Sequence, residues 1–267
     1  MRLLVPLEPR PSAPLARANP LAKLGATLVL LVALFASLDG VTATVILAAL
    51  VALIPASGLA ALALVRRSWL IGLTAISIGV ANVLFAPAQA GATIVELGPL
   101  RIGSETLLDG AGLSVRLLAV GLAGILATAT SQPTDIADAL IQQLRVSPRF
   151  AVGALAAIRL LPALARDWQT AALARRARGV DAGRSPLGAM RLFAGLLLSL
   201  LVGSVRRATR LSLAMQARGL GARECRTVAR VQRMRPGDWA WIAGALVLAT
   251  GAVAASLAIG TWRPLLG

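Results

Sequence analysis

The chain has 267 residues, of which 57% are hydrophobic and 14% charged, with 27 basic against 11 acidic residues, no histidine and one cysteine, Cys225. A soluble domain carries about 25% charged residues, so much of this chain is expected to lie in lipid, and a lone cysteine excludes a disulfide framework. Because histidine, a Walker lysine motif and a cluster of metal-ligating residues are all missing, we predict a chain that catalyses nothing and binds no metal or cofactor itself.

Five apolar segments approach the roughly 20 residues that a helix needs to span a bilayer. In chain order they are 21–38, 41–65, 69–86, 111–130 and 239–259. Asp39 and Gly40 form a tight turn between the first two, and Pro55 indicates a kink or a break in the second. The polar stretch 89–109 joins the third and fourth. The predicted fold is therefore an all-α integral membrane protein with about five transmembrane helices.

The placement of arginine orients these helices, because cytoplasmic loops of membrane proteins are enriched in Lys and Arg. Residues 132–237 contain 18 of the 27 basic residues and five acidic ones, a net charge of +13. We expect this insert and the N-terminus to be cytoplasmic, in a multi-pass protein of the bacterial inner membrane. The chain then divides into an N-terminal arm (1–20), helices one to four (21–131), the insert (132–237) and a last helix with the C-terminus (238–267).

Start and stop signals divide the insert into one short and two long helices. Pro133 opens the short helix, which ends near Leu144, and Ser147-Pro148 opens a long helix to Arg178 with an expected bend at Pro162. After a turn at 183–186, the second long helix runs from about Gly188 to Arg218, and residues 236–238 break the chain before the last span. The apolar run 192–205 is short for a span. We expect it to lie against the other long helix or along the membrane interface, with a sixth span as the alternative.

The ends of the two long helices have the same sequence pattern. Ala174–Val180 and Ala214–Leu220 both read Ala-x-x-Ala-Arg-Gly-aliphatic, with Arg178 and Arg218 at equivalent positions. One copy alone is typical of an ordinary helix end, since glycine caps helices and arginine suits the negative end of the dipole. Two copies on consecutive helices indicate a function. The second helix alone is about 45 Å long. If the two long helices run antiparallel or cross, their ends are too far apart for one ligand and suit two docking points on a two-fold or pseudo-two-fold partner.

Three stretches of the chain together resemble the transmembrane T component of energy-coupling-factor transporters, the group that includes the permease-like subunits of cobalt, nickel and biotin importers. Asn19–Leu24 is similar to the family's entry into its first span. Arg159–Pro162, running on to Ala177–Gly179, resembles the first coupling helix with its Ala-Arg-Gly motif. Arg206-Arg207, running on to Ala217–Gly219, resembles the second.

The resemblance implies a scaffold that holds other subunits together. Its partners would be two ABC-type ATPases, which bind the ATP, a membrane-embedded substrate-binding S component and the lipid bilayer, with no nucleic acid. The cargo would be a vitamin or a transition-metal ion. The residues that would dock the ATPases are Ala177, Arg178, Gly179, Ala217, Arg218 and Gly219. Secondary contacts would come from Arg159, Pro162, Arg175, Arg176 and Arg207.

Two other functions remain open from the residues alone. A self-contained permease or channel is disfavoured because the spans contain almost no ionisable residues to mark a pathway. A membrane-anchored binder of anionic lipid or nucleic acid would use the basic insert, although stacking aromatics are lacking there.

Two further side chains are expected to have structural roles. Arg116, at the outer end of the fourth span, could be a functional intramembrane charge, but we expect it to snorkel to the interface. Trp168, inside the insert, is expected to pack against the neighbouring helix.

Overall fold

The computed structural model describes residues 13–85, 93–97, 100–180, 185–220, 228 and 230–262. The first twelve residues of the N-terminal arm and residues 183–184 of the predicted turn lie outside the described residues. The chain forms two compact units: unit 1 comprises residues 1–136 and 232–267, and unit 2 comprises residues 137–231.

The described residues are mostly helical, which confirms the all-α membrane fold. The helices are α1 Pro14–Arg17, α2 Pro20–Ala36, α3 Gly40–Ser57, α4 Ala61–Phe85, α5 Ser104–Ala129, α6 Pro133–Gln142, α7 Pro148–Ala177, α8 Pro186–Ala217 and α9 Pro236–Ile259. Two short strands, β1 Thr93–Leu97 and β2 Leu100–Gly103, stand between α4 and α5.

The second predicted span was too long at its C-terminal end. α3 stops at Ser57, and Gly58 takes a left-handed conformation with φ of +71°, donating its N–H to the carbonyl of Pro55 at 3.3 Å. Glycine adopts this conformation without the steric cost that a Cβ imposes. Residues 61–65 therefore begin α4 rather than end the second span. The part of α4 that is apolar and long enough to cross a membrane is Ser68–Phe85, which agrees with the predicted third span.

The polar stretch 89–109 is more ordered than the loop we predicted. β1 and β2 pair as antiparallel strands, with Leu97 opposite Leu100 and Glu96 opposite Arg101. The remainder of the stretch, from Ser104, is already the first turns of α5. Hydropathy finds the apolar part of a helix and misses polar turns that extend beyond it.

Proline accounts for two other shifts in helix boundaries. α8 begins at Pro186 and α9 at Pro236, each two or three residues before the predicted start. Proline suits the first helical position because its missing N–H would have no intrahelical partner there. Residues 236–238, predicted to break the chain, are the first turn of α9, and Asp238 closes a capping box with the backbone of Arg235. α7 continues through Pro162 as one helix of 30 residues.

Six helices among the described residues are long and apolar enough to cross a membrane, which agrees with a multi-pass protein. They are α3, α4, α5, α7, α8 and α9, whereas α2 is shorter, with 17 residues. In α8, however, the uncharged stretch is bounded by Arg191 and Arg206 and covers only 192–205. That stretch is about 21 Å long, which falls short of a hydrocarbon core of roughly 30 Å. Its place in the insert stays a prediction.

Small residues let the membrane helices of unit 1 approach closely, as is common inside lipid. Its core combines Leu34 of α2 and Ile46 of α3, both fully buried, with alanines of α5 and α9. Between α4 and α5, a Cβ added at Gly79 would lie 2.6 Å from the carbonyl oxygen of Gly110. No side chain fits at that crossing, so glycine is required there.

Arg116 does not snorkel, contrary to the prediction from its position. Its side chain is 8% exposed, and its guanidinium donates to the carbonyl of Ser37 and, at 3.4 Å, to that of Asp39. Ser37 is the C-cap of α2, where carbonyls lack intrahelical partners, and Asp39 is the N-cap of α3. Arg116 therefore binds the turn between α2 and α3 inside unit 1.

Candidate functional site at two arginine–glycine helix ends

The end of α7 forms a complete glycine cap. Ala177 is its last helical residue, Arg178 is the C-cap, and Gly179 has a φ of +75°. The N–H of Gly179 donates to the carbonyl of Arg176 at 2.9 Å, and the N–H of Val180 donates to that of Arg175 at 3.0 Å. This pair of hydrogen bonds is a Schellman motif, which satisfies carbonyls that the helix leaves open.

The end of α8 repeats this geometry residue for residue. Ala217 is the last helical residue, Arg218 is the C-cap, and Gly219 has a φ of +81°. Gly219 donates its N–H to the carbonyl of Gln216 at 2.9 Å, and Leu220 donates to that of Met215 at 2.9 Å. The predicted likeness of the two sequence copies is therefore a likeness of backbone conformation as well.

Both ends present their arginine to the outside. Arg178 and Arg218 are exposed, and neither guanidinium has a hydrogen bond or ion pair to any other described residue. Each keeps five N–H donors for a partner, in a planar fork that matches a carboxylate. A Cβ added at Gly179 or Gly219 would meet no atom within 4 Å. The glycines therefore leave open space beside each arginine.

The contacts between α7 and α8 keep these two ends apart. Trp168 packs on Phe193 with ring centroids 5.4 Å apart, as predicted for that tryptophan. Near the end of α7, Arg175 contacts Gly195, which lies in the first half of α8, whereas Arg218 caps the far end of that helix. The separation between Gly195 and Arg218 along α8 is about 35 Å. The two arginine–glycine ends are thus separate surfaces of unit 2.

Two of the residues predicted to make secondary ATPase contacts instead connect the two long helices to each other. Arg175 donates to the carbonyls of Leu192 at 3.3 Å and Gly195 at 2.8 Å, and to the hydroxyl of Ser199 at 3.1 Å. Arg207 of α8 forms an ion pair with Asp167 of α7 at 2.8 Å. Both side chains hold the two long helices together, a role that the sequence pattern did not indicate.

The other predicted secondary residues are exposed. Arg159, Pro162 and Arg176 lie on the surface of α7, and Arg159 has an interaction partner within the described residues. A contact between any of these residues and an ATPase stays a prediction. Among the described residues, no group of three or more His, Cys, Asp or Glu side chains could hold a metal ion.

Comparison with known proteins gives the family. The model of the family described as "CbiQ: Cobalt transport protein" matches residues 11–229. The "Energy-coupling factor transporter transmembrane protein EcfT" of Lacticaseibacillus paracasei is 35% identical over 189 residues, which are 67% of this chain and 69% of that protein.

Two further relatives have corresponding names. The EcfT protein of Heliobacterium modesticaldum is 35% identical over 156 residues, 55% of this chain and 56% of that protein. EcfT 1 of Listeria monocytogenes is 32% identical over 178 residues, 64% of this chain and 65% of that protein. The chain thus spans less than two thirds of the length of these two relatives. With a family model matching residues 11–229 and the 35% identity to the L. paracasei protein, the chain belongs to the CbiQ/EcfT family, the transmembrane T components of energy-coupling-factor transporters.

Proposed function

We propose that this chain is the coupling scaffold of an energy-coupling-factor importer. Its two arginine–glycine ends dock two ABC-type ATPases, and the motion that ATP drives in them passes through α7 and α8 to a membrane-embedded S component. The cargo is a vitamin or a transition-metal ion. The observation that carries this proposal is that the two ends share sequence, left-handed glycine and hydrogen-bond pattern while both arginines stay exposed.

Two identical ends suit two equivalent partners better than one ligand. Each guanidinium can form a bidentate pair with a carboxylate, which lysine cannot match. The Schellman motif fixes the backbone beside the arginine, so little order has to be gained on docking. Arg218 lies about 35 Å along α8 from Gly195, the residue that Arg175 contacts near the end of α7. This distance gives room for a separate protein domain at each arginine–glycine end.

Apolar side chains on the long helices support contact with the S component and lipid. Large exposed apolar patches on a protein surface mark sites of interaction with protein or membrane. Unit 2 exposes many such side chains: Leu161 and Leu173 on α7, and Leu197, Leu198, Leu201 and Val202 on α8.

The proposed orientation follows from charge. With 18 of its 27 basic residues in 132–237, the insert belongs on the cytoplasmic side of the inner membrane, where ATP and the ATPases are. The chain itself is proposed to be non-catalytic and to bind no ATP, since it contains no phosphate-binding lysine motif.

Charge reversal at the two ends tests the proposal. We expect Arg178→Glu and Arg218→Glu each to weaken co-purification of the ATPases, and the double variant to abolish it together with uptake. Reversal replaces an attractive charge pair by a repulsive one at an exposed docking point. Arg210→Glu is the matched control, because Arg210 is an exposed arginine of the same helix, two turns before Arg218.

Three outcomes would overturn the proposal. The ATPases could co-purify undiminished with the double variant, or Arg210→Glu could release them equally, which would indicate non-specific attraction to the basic insert. Uptake by the purified chain alone in liposomes would instead establish the permease alternative.

A further inference from the structure

The only lysine of the chain is also a buried one. Lys23, in the first turn of α2, is 4% exposed. Its ammonium donates to the carbonyl of Thr130 at 2.8 Å and to that of Ala16 at 3.4 Å. Thr130 is the C-cap of α5, so the positive charge sits at the negative end of that helix. Lys23 thereby joins the start of α2 to the end of α5.

A buried carboxylate makes the corresponding link to α9. Asp238 is 6% exposed, and one of its oxygens accepts the N–H of Asn19 at 2.8 Å. The other oxygen accepts the N–H of Arg235 at 2.8 Å, which caps α9. Asn19 in turn caps α2, since its side chain accepts the N–H of Leu21 at 2.9 Å.

The two links are electrostatically connected. The carboxylates of Asp135 and Asp238 both attract the Lys23 ammonium. Burying a charge is costly unless the group is hydrogen-bonded. Here the Lys23 ammonium has two carbonyl partners and the Asp238 carboxylate has two backbone N–H partners. We call Asn19, Lys23, Thr130 and Asp238 the clasp.

Two residues of the clasp lie close along the chain to the places where it leaves and re-enters unit 1. The chain passes from unit 1 to unit 2 after Ile136, six residues beyond Thr130, and returns at Gln232, six residues before Asp238. Both covalent connections between the units thus lead into a helix end that the clasp ties to α2.

We infer that Lys23 and Asp238 are positioning residues for energy coupling. The inference rests on the proposed coupling function. The clasp holds the end of α5 and the start of α9 to the start of α2. A displacement that reaches unit 1 through either connection therefore moves these three helices together. Without it, the displacement would be absorbed by bending at one helix end.

The choice of lysine fits this role. An ammonium is compact and has three donors, whereas a guanidinium has five in a fixed fork. The ammonium of Lys23 has two carbonyl partners, and the five N–H donors of a guanidinium would leave buried N–H groups unpaired there. This distinction explains why the other 26 basic residues can be arginine while this one is lysine.

The test uses the whole transporter, with both ATPases and the S component, reconstituted in liposomes. The variants are Lys23→Met and the milder Asp238→Asn. The matched control is Asp39→Asn, since Asp39 is also buried, at 5% exposure, and also caps a helix, accepting the N–H of Thr42 at 2.7 Å. It stands at the start of α3, outside the clasp.

The measured quantity is cargo transported per ATP hydrolysed, which a simple loss of folded protein does not change. We expect Lys23→Met and Asp238→Asn to lower this ratio by about threefold or more, with the ATPases still co-purifying, and Asp39→Asn to leave it unchanged. Hydrogen exchange at the Asn19 amide reports on the clasp directly and should rise about tenfold in Asp238→Ala, which removes the oxygen that accepts this N–H.

The inference is overturned if both clasp variants keep the wild-type ratio, if Asp39→Asn lowers it equally, or if Asn19 exchange does not rise in Asp238→Ala. These outcomes differ from failure of the proposed function, in which the wild-type chain itself would not retain the ATPases through Arg178 and Arg218.

Discussion

Gly179 and Gly219 end two different helices and have almost the same backbone conformation, with φ of +75° and +81°. Each follows an exposed arginine, and each closes the same pair of hydrogen bonds to the preceding helix. The cap alone does not distinguish these ends, since Gly260 closes α9 with a φ of +75° and the same pair of hydrogen bonds. What the two ends of α7 and α8 share beyond it is the exposed arginine before the glycine.

The first prediction concerns these glycines. Replacing either by alanine should destabilise the helix end by about 1 kcal/mol, because an L-residue in the left-handed conformation clashes with its own carbonyl. No neighbour lies within 4 Å of an added Cβ, so the cost is that of the backbone alone. Hydrogen exchange at Val180 and Leu220, whose N–H groups close the two caps, should accelerate accordingly, and ATPase binding should weaken.

Gly203→Ala is the matched control, since Gly203 lies inside α8 with equally open space. Alanine there should stabilise the helix by up to about 1 kcal/mol. Asparagine at 179 or 219 should cost less than alanine, because it tolerates the left-handed region. Equal effects of alanine at 179 and 203 would contradict the backbone argument.

The second prediction separates two neighbouring arginines. Arg175→Ala should destabilise the α7–α8 pair by about 1.5 kcal/mol, since hydrogen bonds from a charged donor contribute about 1.5 to 3 kcal/mol each when buried and this site is partly exposed. Arg176 is exposed, so Arg176→Ala should leave stability unchanged. Limited proteolysis of residues 137–231 in the full chain measures the difference.

Arg175→Lys provides the control for geometry. The guanidinium reaches two carbonyls and the Ser199 hydroxyl at once, and a single ammonium cannot reproduce that fork. Lysine should therefore rescue less than half of the loss. Full rescue would show that charge alone matters at this position.

The features predicted correctly from the sequence are those that depend on residues close together in the chain. The apolar segments, the prolines at helix starts and the glycine ends all act within a few residues, and the structure places helices there. The two arginine–glycine ends were found because the same pattern occurs twice, around Arg178 and around Arg218.

The missed features depend on partners far along the chain. Arg116 lies 79 residues from Ser37, and Lys23 lies 107 residues from Thr130. A single sequence indicates that a charge lies in an apolar segment, but it does not indicate which carbonyl will satisfy that charge. For the same reason, nothing in the local sequence around Arg175 distinguished it from the other arginines of the insert as the one that binds α8.

The third prediction concerns the ion pair between Asp167 and Arg207. Its side chains are 43% and 42% exposed, so solvent screens the pair and each single alanine variant should cost no more than about 1 kcal/mol. Exchanging the charges, as Asp167→Arg with Arg207→Asp, should restore most of the stability that either single charge reversal loses. A double-mutant cycle on thermal unfolding of the purified chain measures the coupling, and a coupling energy of zero would show that the pair contributes nothing.

The fourth prediction concerns Arg116, the buried arginine that binds the α2–α3 turn. Arg116→Leu should lower the stability of the purified protein in detergent by about 3 kcal/mol, because removing one member of a buried polar group leaves its partners without compensation. The partners left behind are the carbonyls of Ser37 and Asp39. Thermal unfolding measures this loss.

Arg66→Leu is the control for Arg116→Leu, since Arg66 is an exposed arginine of α4, and its loss should change stability by less than about 0.5 kcal/mol. Arg116→Lys distinguishes charge from geometry: a lysine of similar reach could bind one carbonyl, so it should recover part of the stability. If Arg116→Leu unfolded at the wild-type temperature, the buried guanidinium would not be what fixes the end of α2, and the interfacial position expected from the sequence would be the better description.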